Sequence, residues 1–238
     1  MNTSMKSLVI IPAYNEEASI LETVEDIRKN APEFDYIVVN DCSTDQTLEV
    51  CRQNGIRVLS LPVNLGIGGA VQTGYVYAYE NGYDEAVQFD GDGQHDAAFL
   101  NRMRDHMRKE GIDLLIGSRF IEGEGFQSTG LRRFGIRYFD RLIFGLTRQR
   151  ITDPTSGMRM ADRRMIRMFA ESYPKDYPEP ESVVAAIQSG MKVEEYPVVM
   201  RERQKGESSI SPIRSVYYMI KVTLAILVER LRRKEYGK

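Results

Sequence analysis

Two aspartates separated by a single glycine form the most distinctive chemical pattern in this chain of 238 residues. Asp90 and Asp92 lie in the stretch Asp90-Gly91-Asp92-Gly93-Gln94, directly after a short apolar run. Neighbouring carboxylates repel each other, and a divalent cation offsets that repulsion. Mg²⁺ or Mn²⁺ suits such oxygen ligands and can bridge to a diphosphate. The pattern favours a metal–diphosphate site over a polar turn or a calcium loop, because the following residues lack a late glutamate and alternating oxygen ligands.

A second polar stretch, residues 40–47, follows another apolar run. Its Asp41 could accept a hydrogen bond from a ring N–H of a nucleobase, whereas Asp45 is typical of a residue that caps the next helix. The glycine-rich stretch Gly66-Ile67-Gly68-Gly69 lacks the spacing of a dinucleotide-binding fingerprint. Two interpretations remain for this stretch, namely close approach of a helix start to a phosphate, or tight packing.

Several arginines are candidates for phosphate binding, because a guanidinium group binds phosphate oxygens in pairs. They stand at a predicted strand end, at a predicted helix start and in a late loop: Arg119, Arg132, Arg133 and Arg203. The alternative for each is an ordinary solvated surface arginine. The two histidines have no partners at ligand spacing, so the sequence predicts neither a zinc site nor a Ser–His hydrolase. Two cysteines cannot form a disulfide framework, which fits a reducing, cytosolic setting.

Short apolar runs alternate with segments of helical periodicity, which predicts an α/β protein with a mostly parallel sheet and helices on both faces. Strands are predicted over residues 7–11, 36–39, 57–61, 85–89, 113–117, 157–160 and 192–199. Helices are predicted over residues 16–30, 44–54, 70–81, 96–110, 132–146, 181–189 and 213–233. Pro197 interrupts the last strand and indicates a sheet edge. We expect the less regular second half to cover the sheet and build a second-substrate site, not an independent domain.

Ligands of such sheets bind beyond the carboxyl ends of the strands. Residues 12–17, 40–45 and 90–94 each follow a predicted strand directly and are rich in polar side chains. The sequence therefore predicts that these three segments converge on one cleft, although they are distant along the chain.

The formal charge of −2 hides an asymmetry between the two ends of the chain. Residues 201–238 contain ten basic and four acidic residues, whereas the preceding part is net acidic. A basic tail on an acidic body indicates a local anionic partner, such as phosphates or an anionic membrane surface. No apolar run approaches the ~20 residues that span a bilayer, and no secretory signal precedes the first strand.

The predicted helix 213–233 has a broad apolar face and a basic end. The apolar face includes Val216, Ile220, Leu224, Leu227 and Leu231. Such a composition is typical of a helix that lies in a membrane interface. The alternative is a helix that packs on the body of the protein or on another subunit.

The order and spacing of seven short stretches resemble the family 2 glycosyltransferases of the GT-A fold, in the polyprenyl-phosphate branch that contains the dolichyl-phosphate-mannose synthases. The matching stretches are residues 9–16, 40–45, 64–70, 90–94, 117–119, 153–159 and 203–209. The resemblance implies a GT-A catalytic domain over residues 1–211, followed by an amphipathic basic helix over residues 212–238. This chain departs from the family at Asn40, where many relatives have an aspartate.

The resemblance also implies roles for individual residues. Nucleotide binding falls to Pro12, Ala13, Tyr14, Glu16, Asp41, Gly68, Asp90 and Gly91. Asp90, Asp92 and Gln94 match the site for Mg²⁺ or Mn²⁺. The acceptor phosphate is assigned to Arg119, Arg132, Arg133 and Ser156. The catalytic set is Asp92, Asp153 near the reacting centre, and Arg203 in a loop that closes over the phosphates.

The expected activity is inverting, metal-dependent transfer of a hexose or N-acetylhexosamine from a nucleotide sugar, expected to be UDP-linked, to undecaprenyl or another polyprenyl phosphate. The expected location is peripheral, on the cytoplasmic face of the membrane. Expected partners are the membrane surface, through the C-terminal helix, and a small membrane protein or a second copy of the chain, but no nucleic acid. Two alternatives are transfer to a hydroxyl of a growing glycan, which needs a general base, and a non-catalytic nucleotide-binding scaffold.

Overall fold

The computed structural model describes residues 5–124, 130–175, 178–201 and 219–226, with residues 130–132 described by their backbone alone. The strands of the described residues are β1 (Ser7–Ala13), β2 (Asp35–Asn40), β3 (Val58–Ser60), β4 (Glu85–Gln88), β5 (Leu114–Ser118), β6 (Arg159–Asp162) and β7 (Val193–Pro197). The helices are α1 (Ile20–Asn30), α2 (Thr47–Gln53), α3 (Gly66–Glu80), α4 (Leu100–Glu110), α5 (Gly130–Thr147), α6 (Arg163–Glu171) and α7 (Pro178–Gln188). A 3₁₀ turn (Ala97–Phe99) precedes α4, and residues 219–226 are helical.

The strands form one sheet in the order β3-β2-β1-β4-β6-β5-β7. All neighbouring pairs are parallel except those of β6, which runs antiparallel to both β4 and β5. The predicted mostly parallel sheet is confirmed, and β7 lies at its edge as Pro197 indicated. The second half of the chain supplies β6 and β7, which overlap the strands predicted over residues 157–160 and 192–199.

The direction of β6 decides which residues lie beside the predicted cleft. Arg159, its first residue, is in register with Gln88, the last residue of β4. An antiparallel strand begins where its parallel neighbours end, so the segment that leads into β6 lies at the same edge as residues 90–94. The sequence predicted a strand here but not its direction.

Both faces of the sheet are buried, which explains the continuous apolar runs of its strands. In β1, Leu8 and Ile10 belong to the core beneath α3, α5, α6 and α7, and the alternate residues Val9 and Ile11 belong to the core beneath α1 and α4. None of these four side chains is exposed. The protein is therefore a three-layer α/β structure with two hydrophobic cores.

Two helices differ from the sequence prediction for local reasons. The helix predicted from residue 16 begins at Ile20, because Asn15 adopts a left-handed backbone with φ 58° and residues 14–17 form a loop. Helix α6 was not predicted. Its start is capped by Asp162, whose Oδ1 accepts a hydrogen bond from the Met165 N–H at 2.8 Å, a signal that the sequence contained.

Residues 219–226 pack against α5 on one side and expose apolar residues on the other. Val222 and Ile226 are buried in the same core as Phe139 and Ile143, whereas Ile220 and Leu224 are both 57% exposed. The rest of the predicted helix 213–233 lies outside the described residues. In the part of the chain that the structure describes, no helix combines the length and apolar character needed to cross a membrane.

Candidate active site

The three polar segments meet in one cleft at the carboxyl edge of β1, β2 and β4, as the sequence predicted. The cleft has a volume of about 380 Å³. Its lining consists of Pro12, Ala13, Tyr14, Glu16, Asp41, Asn64, Gly66, Ile67, Ala70, Asp90, Gly91 and Asp92. Of the eight residues predicted to bind a nucleotide, all but Gly68 line this cleft.

Hydrogen bonds join the loop after β1 to the loop after β2. The Asn15 N–H donates to Ser43 Oγ at 3.0 Å, and Asn15 Oδ1 accepts from the Thr44 N–H at 2.8 Å. The Glu16 N–H donates to Thr47 Oγ1 at 2.8 Å. Asp45 Oδ1 accepts from the N–H of Thr47, the first residue of α2, at 2.9 Å, so Asp45 makes a structural contact at the start of this helix. These bonds fix one wall of the cleft.

Asp41 lies at the end of β2 and is only 3% exposed, yet it lines the cleft. Its Oδ1 accepts a hydrogen bond from the Leu65 N–H at 2.7 Å, and its carbonyl accepts one from Asn64 Nδ2 at 3.1 Å. The prediction left the whole Asp41 carboxylate for a ligand, but one of its oxygens positions the loop that begins α3. The start of α3 thereby faces the cleft through Gly66, and a helix N-terminus favours anionic ligands.

A chain of hydrogen bonds orients the carboxylate of Asp90. Its Oδ1 accepts from Gln88 Nε2 at 3.2 Å, and Gln88 Oε1 accepts from Tyr173 Oη at 3.4 Å. Burial raises the pKa of Tyr173 well above its usual value, so its hydroxyl remains a donor. The Asp90 N–H also donates to Nδ1 of the buried His95 at 3.0 Å. Gln88 and Tyr173 were not named from the sequence.

The donor set at Asp90 and Asp92 fits a magnesium or manganese ion that shares its coordination with a ligand. Both aspartates line the cleft, and Asp92 Oδ1 accepts from the Gln94 N–H at 3.0 Å. Among the described residues no group of three or more His, Cys, Asp or Glu side chains is arranged to hold a metal. Two carboxylates completed by phosphate oxygens are a common arrangement for Mg²⁺. Gln94, predicted as a third ligand, is described but does not line the cleft.

The turn that precedes β6 packs directly against Asp90. A Cβ added to Gly157 would overlap the Asp90 carboxylate, so only glycine allows this approach. The turn is held by the fully buried Arg159, whose Nε donates to the Ser156 carbonyl at 2.7 Å and whose Nη2 donates to the Pro154 carbonyl at 2.7 Å. Ser156, predicted to bind the acceptor phosphate, is buried in this turn. The side chain of Ser156 is therefore not open to solvent in this structure.

Arg119 and Asp153 form a buried ion pair next to this turn. Arg119 Nε and Nη2 each lie 2.7 Å from a carboxylate oxygen of Asp153, and neither side chain is more than 5% exposed. The Asp153 N–H donates to Glu195 Oε1 at 2.8 Å, and burial raises the pKa of Glu195. Arg119 was predicted as a phosphate clamp and Asp153 as a residue near the reacting centre. In the structure the two side chains bind each other, and their predicted roles stay predictions.

The remaining predicted residues are placed differently. The Gly68 N–H donates to the Lys175 carbonyl at 3.0 Å, and an added Cβ would overlap the backbone of residues 174 and 175, so Gly68 serves tight packing. Arg133 is exposed on α5. The side chain of Arg132 and the whole of Arg203 lie outside the described residues. Asn64, Gly66, Ile67 and Ala70 line the cleft but were not named individually, although their stretch was part of the resemblance.

Comparison with known sequences supports the resemblance. The profile described as "Glycosyl transferase family 2" matches residues 8–170. The undecaprenyl-phosphate mannosyltransferase of Micrococcus luteus is 31% identical over 220 residues, covering 87% of this chain and 88% of that protein. The polyprenol monophosphomannose synthase of Mycolicibacterium smegmatis is 29% identical over 221 residues, covering 87% and 82% of the two chains.

Comparison with solved structures shows the fold. The glucosyl-3-phosphoglycerate synthase of Mycobacterium tuberculosis, crystallised with Mn²⁺, uridine diphosphate and phosphoglyceric acid, superposes with a TM-score of 0.69 at 20% identity, covering 95% of this chain and 78% of that one. A structure described as a mycobacterial protein gives a TM-score of 0.73 at 18% identity, covering 93% and 74%. The predicted GT-A fold is confirmed.

Proposed function

The chain belongs to glycosyltransferase family 2, and we propose that it transfers a hexose or N-acetylhexosamine from a nucleotide sugar to a polyprenyl phosphate. The observation that carries this proposal is the position of Asp90 and Asp92. Both stand in a cleft shared by the loops after β1 and β2 and by the start of α3. Such a cleft can hold a nucleoside at one end and a metal-bound diphosphate at the other.

Different residues of the cleft would bind different parts of the donor. Asp41 and the loop around Tyr14 would take the nucleoside, and the N-terminus of α3 would face its phosphates. Asp90 and Asp92 would hold Mg²⁺ or Mn²⁺, which when bound stabilises the negative charge that develops on the departing diphosphate. A solved relative in fold contains both Mn²⁺ and uridine diphosphate, which supports a UDP-linked donor. We assign Arg203 to the same phosphates.

A phosphate acceptor suits the pairing of Asp153 with Arg119. A phosphate monoester has its second pKa near ~6, so it is already largely a dianion at neutral pH and needs positioning more than deprotonation. Asp153 is fully buried and bound to Arg119 by both carboxylate oxygens. A hydroxyl acceptor would require a general base within reach of the cleft. Arg132 and Arg133 remain our candidates for the acceptor phosphate, and attack on the anomeric carbon would invert its configuration.

Two relatives carry acceptor names that agree with this proposal, the undecaprenyl-phosphate mannosyltransferase and the polyprenol monophosphomannose synthase. The test is transfer of radiolabel from a panel of nucleotide sugars to polyprenyl phosphate by the purified chain. We expect label in the lipid fraction only when Mn²⁺ or Mg²⁺ is supplied. Label that reaches a glycan hydroxyl but no lipid phosphate would reject the proposed acceptor.

The substitution Asp92→Asn tests the metal site within the same assay. We expect turnover to fall roughly 100-fold or more, since one electrostatic contact to the developing charge is lost. Asp105→Asn is the matched control, because the side chain of Asp105 is 68% exposed on α4 and lies outside the cleft. Equal turnover in both variants would contradict a role for Asp92 in holding the metal.

A further inference from the structure

Helix α5 exposes a continuous row of arginines and aromatic residues. The exposed members of this row on the helix are Arg133, Phe134, Arg137, Tyr138, Arg141 and Phe144, and Arg148 follows directly after the helix ends at Thr147. We call these seven residues the basic–aromatic face. A spacing of three or four residues places the six helical members on one side of the helix. The opposite side, with Ile136, Phe139 and Ile143, is buried in the core. Phe134 is 61% exposed and Phe144 is 46% exposed, which is unusual for large aromatic side chains.

The helical segment 219–226 extends this face. Tyr138 Oη lies 2.9 Å from Thr223 Oγ1, so the segment runs beside α5. Val222 anchors it in the core, whereas Ile220 and Leu224 remain exposed. Two adjacent helices therefore present exposed apolar side chains side by side, and burial among the described residues does not account for them.

The charges of the face are also uncompensated. Within the described ranges, no ion pair involves Arg133, Arg137, Arg141 or Arg148. The one acidic residue of α5, Asp140, is largely buried and pairs with Arg150 beyond the helix. Helix α6 differs in this respect, since its arginines pair with Asp84, Asp113 and Glu171. The basic–aromatic face thus combines free guanidinium groups with exposed rings.

We propose that the basic–aromatic face, together with Ile220 and Leu224, docks on an anionic lipid bilayer. Guanidinium groups bind lipid phosphates, and aromatic and aliphatic side chains enter the boundary between headgroups and acyl chains. A dimer contact is disfavoured, because a two-fold interface would set the arginine row against its own copy. The inference rests on the proposed function and deepens it, since a polyprenyl phosphate resides in a membrane, and it places the membrane contact on α5 and residues 219–226.

The test measures binding of the full chain to vesicles by co-sedimentation, without nucleotide or acceptor. We expect binding to vesicles of phosphatidylcholine with phosphatidylglycerol, and little binding to phosphatidylcholine alone. The triple variant R137E/R141E/R148E should weaken binding about tenfold or more, because each basic residue near an anionic surface adds to the attraction. The charge-matched control is K29E/R52E/K109E, which changes exposed residues of α1, α2 and α4 on the opposite side of the sheet.

A second variant separates insertion from charge. F134S/F144S should weaken binding at high salt, where electrostatic attraction is screened and apolar contacts remain. Equal loss of binding in both charge-reversal variants would overturn the proposal, as would equal binding of the wild type to neutral vesicles. A wild-type dimer that R137E/R141E/R148E dissociates would instead identify the face as a contact between copies.

An activity assay distinguishes failure of the docking face from failure of the proposed reaction. If docking holds, R137E/R141E/R148E should transfer sugar to a short-chain polyprenyl phosphate in detergent as well as the wild type does, and should fail only with vesicle-bound acceptor. Equal activity of this variant on vesicles would overturn the docking face and leave the proposed reaction intact. Vesicle binding by a wild-type chain that transfers sugar to no lipid phosphate would support the docking face and reject the proposed reaction.

Discussion

Asp90 lies in the cleft with Gly157 packed against its carboxylate. The substitution Gly157→Ala should push the Asp90 carboxylate away, because the new Cβ would overlap it. We expect the affinity for Mn²⁺ in the presence of uridine diphosphate to fall by about tenfold or more, the usual effect of disturbing a ligand's surroundings. Titration calorimetry measures this directly. Gly145→Ala is the control, since nothing lies within 4 Å of its added Cβ.

Arg119 and Asp153 supply a second prediction about single residues. Asp153→Ala leaves a buried guanidinium without its partner, so the free energy of unfolding should drop by about 3–5 kcal/mol. The double variant Arg119→Met/Asp153→Leu, which removes both charges, should recover much of that loss. Urea denaturation gives both values. Should Asp153→Ala abolish activity while stability stays unchanged, Asp153 would act on substrate and not on Arg119.

The sequence identified the residues whose chemistry is visible in their own neighbourhood. Asp41, Asp90 and Asp92 were found because carboxylates after apolar runs predict a polar strand end. Gly157 was missed as a neighbour of Asp90, because its contact depends on how β6 enters the sheet. Gln88 was missed although it lies only two residues before Asp90. Arg119 was found for its charge, but its partner Asp153 lies 34 residues away and only the fold brings them together.

Among the structural elements, the junction of β6 and α6 predicts a dependence of stability on pH. Burial raises the pKa of Asp162 from 3.8 to about 6, with the nearby Asp113 carboxylate adding to the effect. Between these values the folded protein binds more protons than the unfolded chain, so the free energy of unfolding should fall as pH rises from about 4 to about 6.

Asp162→Asn keeps a residue that can cap α6 and removes this titration. We therefore expect the variant to show a flatter pH profile and, above pH 6, a higher free energy of unfolding than the wild type. Urea denaturation across the pH range measures both. Parallel profiles for variant and wild type would show that Asp162 titrates as an ordinary surface carboxylate.

Most elements of the first half were predicted to within a few residues, because each strand or helix has its own periodic pattern and its own stop signal. Gly111, for example, ends α4 in the left-handed conformation with φ 62°. The late start of α1 was missed since Asn15 takes up a conformation that its periodicity does not reveal. The direction of β6 was missed for a different reason, as strand direction is a property of the whole sheet.

At the scale of the whole molecule, ligand binding should appear as increased thermal stability. A ligand at about 100 times its dissociation constant stabilises a folded protein by about 2.7 kcal/mol. For a chain of this length that corresponds to an increase in Tm of about 5–10 °C. We expect this increase from a nucleoside diphosphate with Mn²⁺ and a smaller one from the nucleotide alone. In Asp92→Asn the contribution of Mn²⁺ should vanish; an undiminished contribution would place the ion elsewhere.

The α/β class and the single cleft followed from the alternation of elements and the rule for strand ends. The way in which the second half of the chain completes the sheet did not follow from the sequence, because the periodic patterns there are short and interrupted. For the predicted helix 213–233 the sequence left two interpretations, contact with a membrane and packing on protein. In residues 219–226 the packing is visible on one side, and apolar side chains remain open on the other.

The place of β6 between β4 and β5 bears on how the nascent chain acquires its shape. The ribosome releases β5 before β6, and in the final sheet β5 is joined to the earlier strands only through residues 159–162 of β6. During that interval β4 keeps one edge uncovered, and such an edge is a template for aggregation. Emergence of residues 159–162 therefore allows this edge of β4 to be covered and β5 to be joined to the strands made before it.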